Sequence, residues 1–215
     1  MTMLAAGFSP IRPERRVRRR AWLLLSLGLL GACATTRQGI DLPNIDTWES
    51  RSAVLGEIRE WEFKGRIAVK AGDEGFNGKL NWSQRDDTFT ATVGGPLGIG
   101  TVRIEGDSRS VILTDNDGVE TVLPDAELDL RHRYGWTIPV ASLRYWALGI
   151  PDPSMAAVTD FDEQDRLVRL EQSSWIVEFS RYREGGGQQM PRILSATNPN
   201  TRVRMVIDRW LFFDR

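Results

Sequence analysis

From Phe63 onward the chain is dominated by a two-residue rhythm. Phe63, Gly65, Ile67 and Val69 fall on one face of a run whose other face carries Lys64, Arg66 and Lys70. Phe76, Gly78, Leu80 and Trp82 repeat the pattern, with Asn77, Lys79, Asn81 and Ser83 opposite. Phe89, Ala91 and Val93 continue it, then Val102 and Ile104, Val111 and Leu113, and Val119 to Leu123. One apolar face per run, with short connections, predicts an antiparallel meander wet on one side. Asp115-Asn116-Asp117-Gly118 reads as a turn within it, and Asp86-Asp87 as another. The rhythm then breaks. Asp125 opens a helical stretch that Gly135 ends, and a second begins near Pro139 and runs into Pro151. Strands resume around Leu167 and Val168, at Trp175, Val177 and Phe179, at Ile193 and over Val203 to Ile207, with Gly185-Gly186-Gly187 as a hairpin loop. Ahead of the strands, Asp46 followed by Glu49 predicts a capped helix carrying Trp48, Leu55 and Ile58 and ending near Arg59. About ten strands, an N-terminal helix and a helical insertion after the sixth strand describe a mainly β fold. The economical arrangement is a curved sheet with helices over its open side.

The first 33 residues follow different rules. Six arginines and one glutamate lie in the first twenty positions, followed by the apolar run Ala21 to Leu30. That run is too short to span a bilayer, which takes roughly 20 residues. A basic n-region and a short apolar h-region make a secretory signal peptide. It ends in Leu30-Gly31-Ala32-Cys33, and Cys33 is the only cysteine. A lone cysteine in an exported chain has no internal disulfide partner. Leu-Gly-Ala-Cys resembles the bacterial lipobox. The resemblance implies lipidation of the Cys33 sulfur and cleavage just before it. Ala34 stands where an aspartate favours inner-membrane retention in such lipoproteins, so the expected address is the outer membrane. Residues 34–45 are polar, with Gly39 and Pro43, and read as a tether.

Composition narrows the chemistry. The 215 residues are 41% hydrophobic and 27% charged, an ordinary globular balance. The net charge is −1, but the first twenty residues carry +5, so the remainder carries −6. A nucleic-acid partner is not expected. His132 is the only histidine and sits between Arg131 and Arg133, which reads as a solvated helix face. Neither a zinc site nor a Ser-His-Asp triad can be assembled from one histidine and a lipidated cysteine. No metal, no cofactor and no catalytic residue are expected. The acidic trio Asp125, Glu127 and Asp129 reads either as a solvated face or as a docking surface for a basic partner. Outside the signal lie Trp48, Trp61, Trp82, Trp136, Trp146, Trp175 and Trp210. They fit an ordinary core or the walls of a broad apolar cavity.

Several stretches in order resemble the LolB family of outer-membrane lipoproteins. They are "FKGRIAV" (Phe63 to Val69), "GFNGKLNWSQ" (Gly75 to Gln84), "GPLGIG" (Gly95 to Gly100), "IPVASLRYWALGIP" (Ile138 to Pro151) and "VRMVIDRW" (Val203 to Trp210). The resemblance implies an incomplete antiparallel β-barrel with an apolar cavity, an N-terminal helix and a helical lid inserted between strands. It divides the chain into a signal peptide (1–32), a lipidated N-terminus and tether (33–45) and a lipoprotein-binding β domain (46–215). It implies a monomeric receptor at the periplasmic face of the outer membrane. Such a receptor takes lipoproteins from a soluble LolA-like periplasmic carrier, holds their acyl chains and passes them to outer-membrane lipid. Carriage of another lipid or glycolipid remains the alternative, and a lipid-modifying enzyme lacks its catalytic groups. The expected acyl-chain contacts are Leu80, Trp82, Phe89, Val102, Trp146 and Trp175, chosen from the apolar strand faces and the lid.

The turn "TVGGPLGIGT" (Thr92 to Thr101) carries one residue its turn chemistry does not need. Leu97, between Pro96 and Gly98, either folds back to cap the barrel or projects outward. The resemblance places it at a protruding-loop leucine used in membrane insertion.

Overall fold

The computed structural model describes residues 37–43, 45–95 and 100–214. The signal segment, Cys33 and the loop residues Pro96, Leu97 and Gly98 lie outside the described residues. Helix α1 (Trp48–Glu57) precedes a six-strand meander: β1 (Glu60–Ala71), β2 (Glu74–Arg85), β3 (Thr88–Gly94), β4 (Val102–Gly106), β5 (Val111–Thr114) and β6 (Glu120–Leu123). Helices α2 (Ala126–Tyr134) and α3 (Val140–Leu148) follow. The chain returns to the sheet with β7 (Ala157–Phe161), β8 (Leu167–Gln172) and β9 (Trp175–Ser180). A small hairpin, β10 (Arg183–Gly185) and β11 (Gln188–Met190), leads to β12 (Ile193–Thr197) and β13 (Thr201–Phe212).

Eleven of these strands form one antiparallel sheet in the order β6-β5-β4-β3-β2-β1-β13-β12-β9-β8-β7. β6 and β7 are its two ends, so the sheet is curved but not closed. Its spine is three twelve-residue strands, β2, β1 and β13. The last strand lies beside the first, which joins the meander to the C-terminal strands. Every described strand, helix and core residue falls within residues 38–214.

Close backbone approach along the spine requires glycine at several positions, Gly65 and Gly78 among them. A Cβ on Gly65 would collide with the Val206 carbonyl of β13, and one on Gly78 would sit 2.5 Å from the Gly94 carbonyl oxygen of β3. At the same level β13 carries an extra residue. Lys64 pairs with Arg209 but Gly65 with Ile207, so Asp208 is bulged out of the ladder. The bulge shifts the inward phase by one. Val203, Met205 and Ile207 point in before it, and Trp210 and Phe212 after it. Strict alternation would have turned Trp210 and Phe212 outward. The Asp208 carboxylate faces out and accepts from Arg66 at 3.1 Å and Arg192 at 3.3 Å.

Three details depart from the sequence reading. The cap of α1 is Thr47, whose hydroxyl accepts from the Ser50 amide at 3.3 Å, rather than Asp46. A carboxylate from far along the chain fixes this start, since the Trp48 amide donates to Asp165 at 2.6 Å. Among the described residues there are thirteen strands rather than about ten. β7 was missed because it is an edge strand with four of its five residues exposed, and β10 and β11 because they are three residues each. The end of the polar tether is docked. Ile40 pairs with Phe212 on the free side of β13, and the Leu42 amide donates to the Gly186 carbonyl at 2.7 Å. Leu42 itself is buried.

Helix α3 and the loop after it are fastened to β8 by a buried polar knot. The Trp146 indole N–H donates to Gln172 Oε1 at 3.0 Å, and the Asp152 amide donates to the same oxygen at 3.0 Å. Gln172 Nε2 donates to the Asp152 carbonyl at 2.8 Å. Ser142 Oγ donates to the Asp152 carboxylate at 2.9 Å. All four side chains are buried, so removing one partner leaves the others unsatisfied. Gln172→Leu keeps the volume but strands the Trp146 and Asp152 donors. It is expected to lower the unfolding free energy by about 3 kcal/mol, read as an earlier urea midpoint with unchanged slope.

Candidate functional site: an apolar cavity beneath the helices

The concave face of the sheet is divided by what fills it. At the end near α1, rings from four strands stack on one another. Trp82 and Phe89 lie 4.4 Å apart and nearly parallel, Phe63 meets Trp210 at 5.2 Å, and Trp61 meets Trp210 at 5.6 Å. The register places Trp61 opposite Phe212 and Phe63 opposite both Trp82 and Trp210. These rings close that end.

Further along the same strands the side chains are smaller and the sheet does not meet itself. A cavity of about 430 Å³ remains there. Its sheet wall is Ile67, Phe76, Leu80, Trp82, Phe89, Ala91, Val93, Val102, Ile104, Val111, Leu113 and Met205. Its cover is Leu130 of α2, Trp136 and Ile138 of the connection, and Val140 and Leu143 of α3. Asn77 is the one polar side chain among the described lining residues, and none of them is ionisable. Gly95 and Gly100, which flank the loop outside the described residues, also contribute to the wall.

The cover is held by caps at the helix ends and by contacts with the sheet. Asp125 caps α2, its carboxylate accepting from the Leu128 amide at 3.0 Å. Gly135 and Gly149 end the two helices with φ of 69° and 76°, left-handed conformations that glycine adopts without strain. Trp136 packs on Phe76 of the wall at 5.1 Å. Arg144 of α3 reaches the β2–β3 turn, donating to Asp87 at 3.1 Å and to the Asp86 carbonyl at 3.3 Å. Partial burial works against its charge, but hydrogen bonds to the Tyr145 hydroxyl and to Asp87 outweigh that and hold the guanidinium above its ordinary pKa.

Of the six residues expected to contact acyl chains, Leu80, Trp82, Phe89 and Val102 are brought together on the cavity wall. Trp146 and Trp175 are not among its lining residues. Trp146 lies one turn beyond Leu143, packs against Trp175 at 5.9 Å and spends its N–H on Gln172. The face of α3 toward the cavity begins instead at Val140 and Leu143. Phe76, Ile67, Val93, Ile104 and Leu113 share the strand faces already read as apolar and were available by the same rule. Trp136 and Ile138 lie between helices, where no periodicity marks them. His132 is exposed on α2. In the acidic trio, Asp125 caps the helix, Asp129 accepts from the Asp125 amide at 3.2 Å, and the Glu127 carboxylate accepts from the backbone at Val140 and Ala141, so all three have backbone roles.

Comparison with known proteins adds the family. A family model described as "Outer membrane lipoprotein LolB" matches residues 59–210. The outer-membrane lipoprotein LolB of Nitrosococcus oceani is 36% identical over 196 residues, covering 89% of this chain and 96% of that protein. That of Pseudomonas aeruginosa strain LESB58 is 31% identical over 198 residues, covering 90% and 97%. Among solved structures, a LolA superfamily protein from Nitrosomonas europaea superposes with a TM-score of 0.51 at 10% identity, over 79% of this chain and 94% of that one. A DUF1329 family protein from Desulfovibrio piger superposes with a TM-score of 0.50 at 5% identity, over 76% and 89%. At such identities the two structures speak only for the fold, a large open antiparallel sheet with helices. The match over residues 59–210 and relatives aligned along nearly their whole length place the chain in the LolB family: it is a lipid-anchored outer-membrane lipoprotein and not an enzyme.

Proposed function

We propose that the protein receives lipoproteins from a soluble LolA-like periplasmic carrier, shelters an acyl chain in the cavity and passes the lipoprotein into the outer membrane. The observation that carries this reading is the cavity: about 430 Å³ of space whose described walls hold no ionisable group. At roughly 30 Å³ for a water-sized group, that is room for about fourteen methylenes, one acyl chain of ordinary length. Each methylene taken from water is worth about 0.8 kcal/mol. The chain therefore leaves one apolar site only for another at least as good. No covalent step is needed, and direction follows from relative affinity, a tenfold preference for every 1.4 kcal/mol. Depletion followed by fractionation tests the whole reading. Other lipoproteins should accumulate in the periplasm on their carrier, and normal localisation would assign the cavity to some other lipid.

Three substitutions test its parts. Val102→Glu puts a carboxylate against an apolar chain at a cost of several kcal/mol, so displacement of a fluorescent fatty acid should show at least a hundredfold weaker binding. Ala91→Leu reduces the space without adding charge. It should also weaken binding while thermal unfolding shows a folded domain, and unchanged binding in both variants would remove the cavity from the mechanism. We assign Leu97 to membrane entry, as the resemblance of its loop to the family's protruding loop implies; an apolar loop tip gains only when something apolar receives it. Leu97→Glu should leave acceptance from the carrier intact and block incorporation into liposomes. Loss of folding instead would make Leu97 a core residue. We assign the anchor to Cys33; intact-mass analysis should find residue 33 as an acylated N-terminus, and an unmodified cysteine there would overturn this.

A further inference from the structure

The charge of the domain is not spread evenly. On the outer face of the spine strands, Lys64, Arg66 and Lys70 alternate along β1, and all three are exposed. Lys79 of β2 stands opposite Arg66, Arg204 of β13 opposite Ala68, and Arg202 opposite Lys70. Carboxylates also lie in this register, among them bulged Asp208, shared by Arg66 and Arg192, and Glu62, two residues before Lys64 on β1. This basic field belongs to a domain whose overall charge is negative.

Two further observations give the field a direction. Arg66, Lys79 and Arg204 flank a groove on this outer face that also touches Ile67 and Asn77. Ile67 and Asn77 belong to the cavity wall as well, so the groove and the cavity share a rim. Lys79 pairs with Gly94, at the root of the loop that carries Leu97. The basic face therefore adjoins the cavity rim and the root of the loop.

We propose that the outer face of β1, β2 and β13 is a docking surface for anionic phospholipid headgroups, which sets the rim of the cavity against the bilayer. A bilayer is the occupant that meets these features at once. Its phosphates match the lysines and arginines, its acyl layer receives the chain released at the rim, and the lipid anchor keeps it within reach. Exposed lysines and arginines are suited to this, because a basic group near an anionic surface gains about 1 kcal/mol, roughly fivefold in partition, without ordering a unique contact. The proposal rests on the membrane-delivery reading above, but through charge rather than through Leu97.

The test uses a chain beginning at Ala34, which keeps every described strand and helix and lacks the anchor. Its flotation with vesicles of phosphatidylethanolamine alone is compared with flotation on vesicles that also contain phosphatidylglycerol. The expected result is a preference for the anionic vesicles that falls as salt is raised. Lys79→Gln with Arg204→Gln should reduce that binding about 25-fold and leave the weak binding to neutral vesicles unchanged. A second pair on the same face, Lys64→Gln with Lys70→Gln, should do the same and guards against a local folding defect. Leu97→Glu separates the two ideas. It should weaken binding to both vesicle types, and if it has no effect while the lysine and arginine variants do, the loop assignment fails and the basic face stands. Equal binding of the unsubstituted chain to both vesicle types overturns the proposal. So does retention of vesicle binding by both double variants. Variants that slow lipoprotein transfer from the carrier without changing flotation would show a protein-docking face and also overturn it.

Discussion

The structure depends on how tightly its backbone can coil where β2, β1 and β13 run side by side. Twelve-residue strands with ordinary twist would make a broad, shallow sheet. Here Gly65 and Gly78 remove the Cβ atoms that would hold neighbouring chains apart, and the bulge at Asp208 bends the central ladder. The resulting trough is deep enough for rings on four strands to stack across its floor at one end. It is too wide at the other end for the side chains to meet. The cavity is therefore a direct result of strand geometry and does not come from missing side chains in an otherwise closed core.

The helices over the trough serve it in two different ways. The first turn of α3, with Val140 and Leu143, completes the apolar wall. Ser142 and Trp146 are tied through Asp152 and Gln172 to β8. Apolar contact with the cavity is forgiving of shape, and a buried polar knot is not. Neighbouring residues of one nine-residue helix thus divide accommodation from position. The latch from Arg144 to the β2–β3 turn adds a second attachment on the opposite flank of the sheet.

Much of this was legible in the sequence because alternation encodes which strand face is apolar. Leu80, Trp82, Phe89 and Val102 could be placed on the wall by that rule alone. The rule fails wherever a position depends on a partner outside its own element. Trp146 and Leu143 are both on the apolar stripe of α3, and nothing local says which meets the cavity and which meets β8. The phase of Trp210 and Phe212 turns on one extra residue, visible only against the register of β1. Leu42 lies in a mostly polar segment without periodicity, and its burial is set by the Gly186-Gly187 turn far along the chain. β7 has no buried face to alternate with, so an edge strand left no pattern. The family resemblance supplied the barrel and its lid, which periodicity had given only as a curved sheet with helices.

That the sheet stops at β6 and β7 without joining them has a mechanical consequence. In a closed barrel the circumference is fixed by strand number and shear, and widening it means breaking a continuous ladder. An open sheet has a seam already. Drawing β6 and β7 further apart changes the twist between neighbouring strands by small amounts and severs no strand-to-strand hydrogen bond. The resistance comes from the helices that straddle the gap and from the few attachments that hold them. The girth of the trough is then adjustable, with the helical cover as its spring, at the expense of helix contacts and with every ladder intact.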